Sequence, residues 1–326
     1  MRFLFRFRFP LIAIVLILGG LSFYGALFGP AGTSLTPRTI VVTPDDSLSS
    51  LANRLKEEGL IKSIWAFELA YVREQGGIAL RPGGYELSAS QDAWSVADTF
   101  ARSPYLAWIT VPRGRRKEEI ADILAEALAW KAEDREAWLL ATAAMPAGET
   151  EGVFFPDTYL LPSDMAPQDV ARAMRDRFLE TWKKFADAAE LQGLTMSEVV
   201  RIASLLEREA AGAHDMPLIA GIIRERLQRG MKLQIDATLQ YIKGNEELGW
   251  WKTVKSEDKY LESDFNTYQH VGLPPAAIAN PGLASLQAVL APEETNCLFY
   301  LHDNEGDIHC SANYSGHVAN IRKYLQ

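Results

Sequence analysis

One amphipathic helix is patterned more clearly than any other segment of the chain. Thr195 and Glu198, three residues apart, form a capping-box pattern that marks the start of a helix. At about 100° per residue, one face of this helix is apolar and is made by Val199, Ile202, Ala203, Leu206 and Ala210. A helix with such a face buries it against other elements. The segment therefore predicts a packed helix that ends near Ala211.

Glu207 lies inside the apolar arc of this helix, whereas Arg201 and Arg208 point the opposite way and Glu209 lies on the flank. A carboxyl group held against an apolar surface resists ionisation, which is how an enzyme obtains a general acid at neutral pH. The alternative is a glutamate at the rim of the buried face that reaches out to water. The helix pattern thus makes Glu207 the candidate catalytic acid.

The N-terminus carries a long uncharged segment. Arg2, Arg6 and Arg8 precede it, and residues 9–29 are close to the roughly 20 residues that span a bilayer. The short apolar core and cleavage site of a signal peptide are not clear. The pattern predicts an uncleaved transmembrane anchor at 9–29 after a cytoplasmic basic tail at 1–8. The rest of the chain would then lie in the periplasm, held to the inner membrane by a single pass.

Composition and motifs exclude several classes of protein. The net charge of -9 argues against a nucleic-acid binder. The chain has no Walker loop, GxGxxG turn or HExxH motif. Four of the five histidines lie late in the chain, at positions 270, 302, 309 and 317, but without the spacing of metal ligands. We therefore predict neither a metal nor a cofactor.

The two cysteines flank a predicted hairpin. Its strands are 298–301 and 307–310, with Cys297 and Cys310 at their ends. The thiols could pair across the strands in an oxidising compartment, or they could be free and partly buried. Both interpretations stay open at this point.

Turn and cap residues divide the chain into an α+β arrangement. A linker at 30–38 precedes a strand at 40–42, and a helix from Leu48 ends at Gly59. A helix at 64–75, a strand at 85–87 and a helix capped by Ser90 follow. Residues 109–124 repeat the opening strand–turn–helix pattern, and helices continue to about residue 144. After 151–159 further helices are predicted, including one capped by Asp215 and ended by Gly230.

Polar residues cluster after the Glu207 helix. Gln234, Asp236 and Thr238 alternate, so an extended segment would place them on one face; Asp236 could instead cap a helix. Residues 263–268 add Asn266, Thr267 and Tyr268, two rigid turns follow at 272–275 and 280–282, and His317 opens the last helix. Amide, hydroxyl and aromatic groups beside a carboxyl group suit a sugar. A glycosidase also needs a second carboxylate, for which Asp236, Glu209 and Asp264 are the candidates.

Six segments together resemble the endolytic murein transglycosylases, the MltG or YceG-like family. They are EGVFFPDTY, IASLLERE, RLQRGMKLQIDAT, FNTY, GLPPAAIANPG and the late His317, in matching order and spacing from about residue 38 onward. The resemblance implies a small LysM-like α/β module at 39–108, a second strand–helix module or connector at 109–150, and a mixed α+β catalytic domain at 151–326. The family's catalytic glutamate is the first Glu of its ASxxExE motif, which here is Glu207.

The resemblance also implies a reaction on peptidoglycan glycan strands at the membrane, with cell-wall synthases such as penicillin-binding proteins as partners. The bond between N-acetylmuramic acid and N-acetylglucosamine would be cleaved without water, leaving 1,6-anhydro ends, with Glu207 as acid and then base. The substrate-binding candidates are Gln234, Asp236, Thr238, Asn266, Thr267, Tyr268 and His317.

Two rival functions remain open. One is a muramidase-type hydrolase, and the other is a non-catalytic glycan-binding scaffold. Three residues depart from the family pattern, namely Phe265 where Tyr is usual, Ala277 where Pro is common, and Cys310 where Phe is usual. These departures bear on substrate fit and local packing more than on the acid.

Overall fold

The structure is a computed structural model that describes residues 8–75, 79–146 and 148–325. The chain divides into two compact units. The first comprises the residues up to Trp108 together with Tyr159–Asp164, and the second comprises Ile109–Thr158 together with the residues from Met165 onward. The sequence did not indicate the return of the chain to the first unit after residue 158. The predicted basic tail at 1–8 lies almost wholly outside the described residues.

The uncharged N-terminal segment forms helix α1 (Arg8–Phe28). Among the described residues, no helix is both long enough and apolar enough to cross a membrane. The predicted transmembrane anchor at 9–29 and the single-pass inner-membrane location are therefore wrong. The absence of charged residues was not enough evidence for a membrane span, because the end of α1 packs against other residues of the first unit. Phe28 is buried and stacks on Trp94, whose indole Nε1 donates to the Tyr24 hydroxyl.

The first unit is built on a small sheet with helices against it. Strand β1 (Arg38–Val42) pairs antiparallel with β2 (Gly83–Leu87), and β3 (Leu106–Thr110) and β4 (Thr158–Pro162) extend the sheet in the order β1-β2-β3-β4. Helices α2 (Leu48–Glu57), α3 (Ile64–Gln75) and α4 (Ala93–Ala101) supply the apolar side. Their core is fully buried and includes Leu51, Leu55, Phe67, Tyr85 and Phe100.

The second unit is mainly helical. It contains α5 (Lys117–Leu128), α6 (Ala132–Ala143), α7 (Pro167–Trp182), α8 (Ala186–Leu191), α9 (Met196–Glu209), α10 (Met216–Gln228), α11 (Asp236–Lys243), a 3₁₀ helix (Ser256–Tyr260), α12 (Leu283–Leu290) and α13 (Tyr314–Tyr324). A hairpin of β5 (Phe299–His302) and β6 (Ile308–Ser311) precedes α13. The mixture of helices and strands agrees with the predicted α+β composition.

Most helix ends follow from their sequence signals. The capping box at the start of α9 is confirmed, since Thr195 Oγ1 accepts from the Glu198 N–H and the Glu198 carboxylate accepts from the Thr195 N–H. Gly59, just past the end of α2, has the positive φ of 71° that only glycine adopts without strain. One cap was predicted wrongly, since Asp92 caps α4 in place of Ser90. Asp215 is the cap residue of α10, as predicted, although its side chain makes no capping hydrogen bond.

The C-terminal hairpin is confirmed, and its cysteines are joined. Cys297 and Cys310 form a disulfide, which decides between the two interpretations of the pair. In the antiparallel ladder, Tyr300 pairs with Cys310 and Phe299 pairs with Ser311.

Candidate active site

A cavity of about 580 Å³ opens in the second unit beside the last turn of α9. Its walls come from the end of α9, from α10 and the segment before α11, from Tyr268, from strand β5 and from α13. The lining residues are Glu209, Arg226, Leu233, Gln234, Asp236, Lys259, Tyr268, Phe299, Tyr300, Leu301, Tyr314, His317, Ile321 and Leu325. Such a cavity, with carboxyl, amide and aromatic groups converging on it, has the make-up of a small-molecule or sugar site.

Glu209 is the carboxyl group that α9 contributes to this cavity. Its Oε2 accepts a hydrogen bond from the Tyr300 hydroxyl at 2.7 Å. Burial raises the pKa of Glu209, and the bond from Tyr300 opposes that rise only in part. Glu209 is therefore a carboxyl group at the cavity wall whose ionised form is disfavoured by burial.

Asp236 and Tyr268 form a second polar pair in the wall. Asp236 is the first residue of α11, and its Oδ1 accepts from the Tyr268 hydroxyl at 2.6 Å. The extended arrangement of 234–238 is not observed: Gln234 has a left-handed φ of 52°, and the helix starts at Asp236, whose side chain makes no cap. Gln234 nevertheless lines the cavity with Asp236, because the sharp turn before α11 brings both residues there.

Aromatic and basic groups complete the cavity. The ring of His317 stacks on that of Phe299, with centres 5.6 Å apart. Its Nδ1 is buried and has no hydrogen-bond partner within the described part of the chain. Lys259 Nζ lies 5.1 Å from the centre of the Tyr268 ring. A flat aromatic surface beside free polar groups can hold a sugar ring and its hydroxyls.

Three predicted substrate-binding residues lie behind the cavity and hold its shape. Thr238 and Thr267 are buried, and their hydroxyl groups are 3.0 Å apart. Asn266 is also buried; its amide donates to the carbonyls of Lys259 and Leu261, and its Oδ1 accepts from the Tyr268 N–H at 2.9 Å. These side chains have protein partners, so they position Tyr268 and the start of α11 and do not line the cavity themselves.

Glu207 lies outside the cavity lining. Its side chain is 3% exposed, and its Oε2 accepts from the Gly282 N–H at 3.0 Å and from Ser285 Oγ at 2.8 Å. Its Oε1 lies 3.3 Å from Arg113 Nε. Gly282 is the cap residue of α12, so the Glu207 carboxylate binds the exposed N–H end of that helix. The surroundings are polar and not apolar, which the helix pattern alone could not reveal.

A buried hydrogen-bond network lies next to the contact between Glu207 and the start of α12. Glu151 and Asn280 are both buried, and Asn280 Nδ2 donates to Glu151 Oε1 at 2.6 Å. Asn280 also donates to the Arg115 carbonyl, and its Oδ1 accepts from the Phe154 N–H at 2.7 Å. Burial, together with the charge of Glu118, raises the pKa of Glu151 to about 7. These hydrogen bonds therefore hold the segments around residues 115, 151 and 280 together.

Arg226 and Tyr300 were missed by sequence reasoning. Arg226 is buried, and its guanidinium donates to the carbonyls of Leu298 and Leu233. Both missed residues stood in segments with a clear pattern, Arg226 in the family motif and Tyr300 in the predicted hairpin. Nothing in the sequence, however, indicates that β5 passes beside the end of α9.

Of the candidate second acids, Asp236 and Glu209 share the cavity, whereas Asp264 lines a separate surface depression. Among the described residues, no group of three or more His, Cys, Asp or Glu side chains could hold a metal ion. His302 and His309 instead lie beside single carboxylates, those of Asp215 and Asp303.

The model of the YceG-like family matches residues 40–323. The chain belongs to the YceG-like family. A Bacillus subtilis (strain 168) protein named endolytic murein transglycosylase is 28% identical over 337 residues, covering 95% of this chain and 91% of its own length. A Streptococcus pneumoniae (strain D39) protein of the same name is 24% identical over 88% of this chain, which spans only 58% of that relative.

A solved structure shares the fold. The crystal structure of a yceG-like protein from Listeria monocytogenes matches with a TM-score of 0.57 at 23% identity, covering 88% of this chain and 99% of that one. In this YceG-like chain, the three departures from the family pattern lie outside the cavity lining. Phe265 packs on Tyr241, Ala277 is fully buried, and Cys310 is in the disulfide.

Proposed function

We propose that the chain is a peptidoglycan lytic transglycosylase that cleaves the β-1,4 bond between N-acetylmuramic acid and N-acetylglucosamine within glycan strands. Membership of the YceG-like family and the names of the relatives support the reaction class and the internal position of the cuts. The observation that carries the proposal is the Glu207 carboxylate at the end of α9, whose Oε2 is held by the Gly282 N–H and Ser285 Oγ while its Oε1 lies beside Arg113.

In the proposed reaction, Glu207 acts first as an acid and then as a base. Protonated Glu207 donates its proton to the glycosidic oxygen as the bond to C1 of the muramyl residue breaks. The resulting carboxylate then takes the proton of the muramyl 6-hydroxyl, whose oxygen bonds to C1 and closes a 1,6-anhydro ring. No water is consumed, and Glu207 ends the cycle protonated. The tethered 6-hydroxyl has the intramolecular advantage over free water.

Glu207 is the first Glu of the ASxxExE motif, the position at which the family resemblance places the catalytic acid. Its Oε1 lies beside the guanidinium of Arg113, a side chain that is 57% exposed. Glu209, two residues further along α9, is the alternative acid because it lines the cavity with Gln234, Asp236, Tyr268 and His317. These four residues are the proposed glycan-binding groups.

A hydrolase is the second candidate because Asp236 lines the same cavity as Glu209. A hydrolase could use a second carboxylate to activate water or to attack C1. Against this role, Asp236 Oδ1 is occupied by the Tyr268 hydroxyl at 2.6 Å, an arrangement that suits positioning.

Digestion of purified glycan strands by the full chain tests the proposal. Mass spectrometry should find internal fragments with 1,6-anhydromuramyl ends, each lighter by one water than a hydrolytic fragment and resistant to borohydride. Reducible muramyl ends would instead establish a hydrolase. Intact strands that remain bound to the protein would establish a non-catalytic glycan binder. A contact with cell-wall synthases stays a prediction.

A further inference from the structure

The two oxygens of the Glu207 carboxyl group have different surroundings. Oε2 accepts hydrogen bonds from the Gly282 N–H at 3.0 Å and from Ser285 Oγ at 2.8 Å. Oε1 lies 3.3 Å from Arg113 Nε. Ser285 is fully buried, whereas more than half of the Arg113 side chain is exposed. One oxygen is therefore held inside the protein, and the other lies beside a side chain that reaches solvent.

Both lone-pair positions of Oε2 are taken. A carboxylate offers about four such positions, two on each oxygen. The Gly282 N–H and the Ser285 hydroxyl occupy the two on Oε2. A proton on Glu207 is therefore carried by Oε1, and Oε1 is the oxygen that hands it to a glycan.

Arg113 can yield its place beside Oε1. An ion pair made by an exposed side chain contributes little, because water screens the two charges. A glycan that binds next to Oε1 can thus displace the Arg113 guanidinium at small cost. The donors to Oε2 are a backbone N–H at the start of α12 and a buried hydroxyl, so they stay in place when Arg113 moves.

The Ser285 hydroxyl has a second acceptor within reach. Its Oγ is also 2.9 Å from the Gly282 carbonyl oxygen. A hydroxyl has one hydrogen, so it donates to only one of the two acceptors at a time. Hydrogen bonds to ionised groups are roughly twice as strong as those between neutral groups. The hydroxyl therefore favours Oε2 when Glu207 is ionised and can turn to the Gly282 carbonyl when Glu207 carries its proton.

We propose that Ser285 is a positioning residue for Glu207, which fixes Oε2 and thereby makes Oε1 the oxygen that carries the proton. The inference rests on the proposed function of Glu207 as the acid. When the proton leaves Oε1 for the glycosidic oxygen, its bonding electrons stay on the carboxyl group, and the negative charge is shared with Oε2. The Ser285 hydroxyl turns onto Oε2 as this charge forms. A hydrogen bond that strengthens in this way stabilises the transition state more than the bound substrate.

The first experiment compares Ser285→Ala with the wild type on purified glycan strands. Loss of a hydrogen bond to a charged group should lower kcat by about 10- to 100-fold. KM should stay unchanged, because Ser285 is fully buried and its bond to Oε2 strengthens only as the charge forms. An unchanged kcat, or a loss that appears in KM alone, would overturn the inference.

Thr142→Val is the matched control for Ser285→Ala. Thr142 lies in α6 and is as fully buried as Ser285. Its hydroxyl likewise donates to the carbonyl three residues earlier, that of Leu139, at 2.8 Å. The control therefore removes a buried helix hydroxyl that is not a partner of Glu207, and its kcat should equal that of the wild type. An equal fall of kcat in both variants would assign the effect to general stability and contradict the inference.

Two conservative variants test the hydroxyl itself. Ser285→Thr keeps the donor and adds one methyl group, so it should recover most of the kcat lost in Ser285→Ala. Ser285→Cys has a weaker donor in a similar volume and should lie between the alanine variant and the wild type. Thermal unfolding shows which variants are folded, and the cysteine variant decides if the extra methyl group does not fit. A folded variant of this pair that is no more active than Ser285→Ala would refute the inference.

A double-mutant cycle with Glu207→Gln separates the two proposals. If Ser285 acts through Glu207, Ser285→Ala should lower the residual activity of Glu207→Gln little further. Full additivity of the two losses would show that Ser285 acts elsewhere. Failure of the proposed function has a different signature, namely a folded Glu207→Gln variant that retains full activity.

Discussion

Glu207 and Glu209 lie two residues apart in the last turn of α9, yet their carboxyl groups have different partners. Glu207 Oε2 accepts from Gly282 and Ser285 at the start of α12, whereas Glu209 Oε2 accepts from Tyr300 in the cavity wall. Side chains two residues apart on a helix point about 200° apart. One carboxylate therefore joins two helices, and the other faces the cavity.

The first prediction concerns the stability that Glu207 provides. Glu207→Gln keeps the size of the side chain but removes the charge at the N-terminal end of α12 and one of the acceptors. We expect a loss of about 1–3 kcal/mol in the free energy of unfolding, measured by urea denaturation. The ion pair adds little to this figure, because the Arg113 side chain is 57% exposed.

Glu209→Gln is the matched control for that measurement. Burial disfavours the ionised form of Glu209, so a neutral amide in its place should leave the unfolding midpoint at pH 8 unchanged or raise it. A Glu209→Gln variant that is less stable than Glu207→Gln would show that the structural roles of the two residues are reversed.

The second prediction concerns pH. Burial raises the pKa of Glu151 from its ordinary value of 4.5 to about 7. Between these values the folded protein binds more protons than the unfolded chain, so stability falls as pH rises. The contribution is complete below pH 4.5 and is lost as pH passes through 7; at about 1.4 kcal/mol per pKa unit, its upper bound is about 3.5 kcal/mol.

Thermal unfolding between pH 5 and 8 measures this dependence. Glu151→Gln, a mimic of the protonated form, should show a flatter profile than the wild type. Part of the slope should remain, because the raised pKa of Glu209 acts in the same direction. A wild type that becomes more stable over this range, or an unchanged slope in Glu151→Gln, would contradict the assignment.

The third prediction separates the two candidate reactions through Asp236. Asp236→Asn still accepts from Tyr268 but loses its charge. We expect kcat/KM to fall by about tenfold from poorer placement of the glycan, with 1,6-anhydro ends as the only products. Asp264→Asn, outside the cavity, should behave as the wild type. Reducible ends in the wild-type digest that vanish in Asp236→Asn would favour the hydrolase.

Local signals predicted local structure well. The capping box of α9, the bounds of α3, the hairpin and the end of α2 at Gly59 all depend on residues close together in the sequence. The N-terminal segment failed because absence of charge does not reveal what a helix packs against, and here Phe28 packs on Trp94.

The candidate site was predicted in part. The segments that form it were recognised from their motifs, and Gln234, Asp236, Tyr268 and His317 do share one cavity. Helix geometry favoured Glu207 over Glu209 as the acid, and that choice stays a prediction. The partners of the two carboxyl groups come from long-range contacts: α12 presents N–H and hydroxyl donors to Glu207, and β5 brings Tyr300 to Glu209. Neither contact has a signal in a single sequence.

The most direct test of the account compares Glu209→Gln and Glu207→Gln for the release of anhydromuramyl fragments from glycan strands, with both variants shown to be folded. Glu207→Gln should lose activity by about 10²–10⁴-fold, because its amide cannot donate and recover a proton. Glu209→Gln should keep activity within about tenfold of the wild type, since its amide still accepts from Tyr300. A folded and active Glu207→Gln beside an inactive Glu209→Gln would contradict the assignment of the acid.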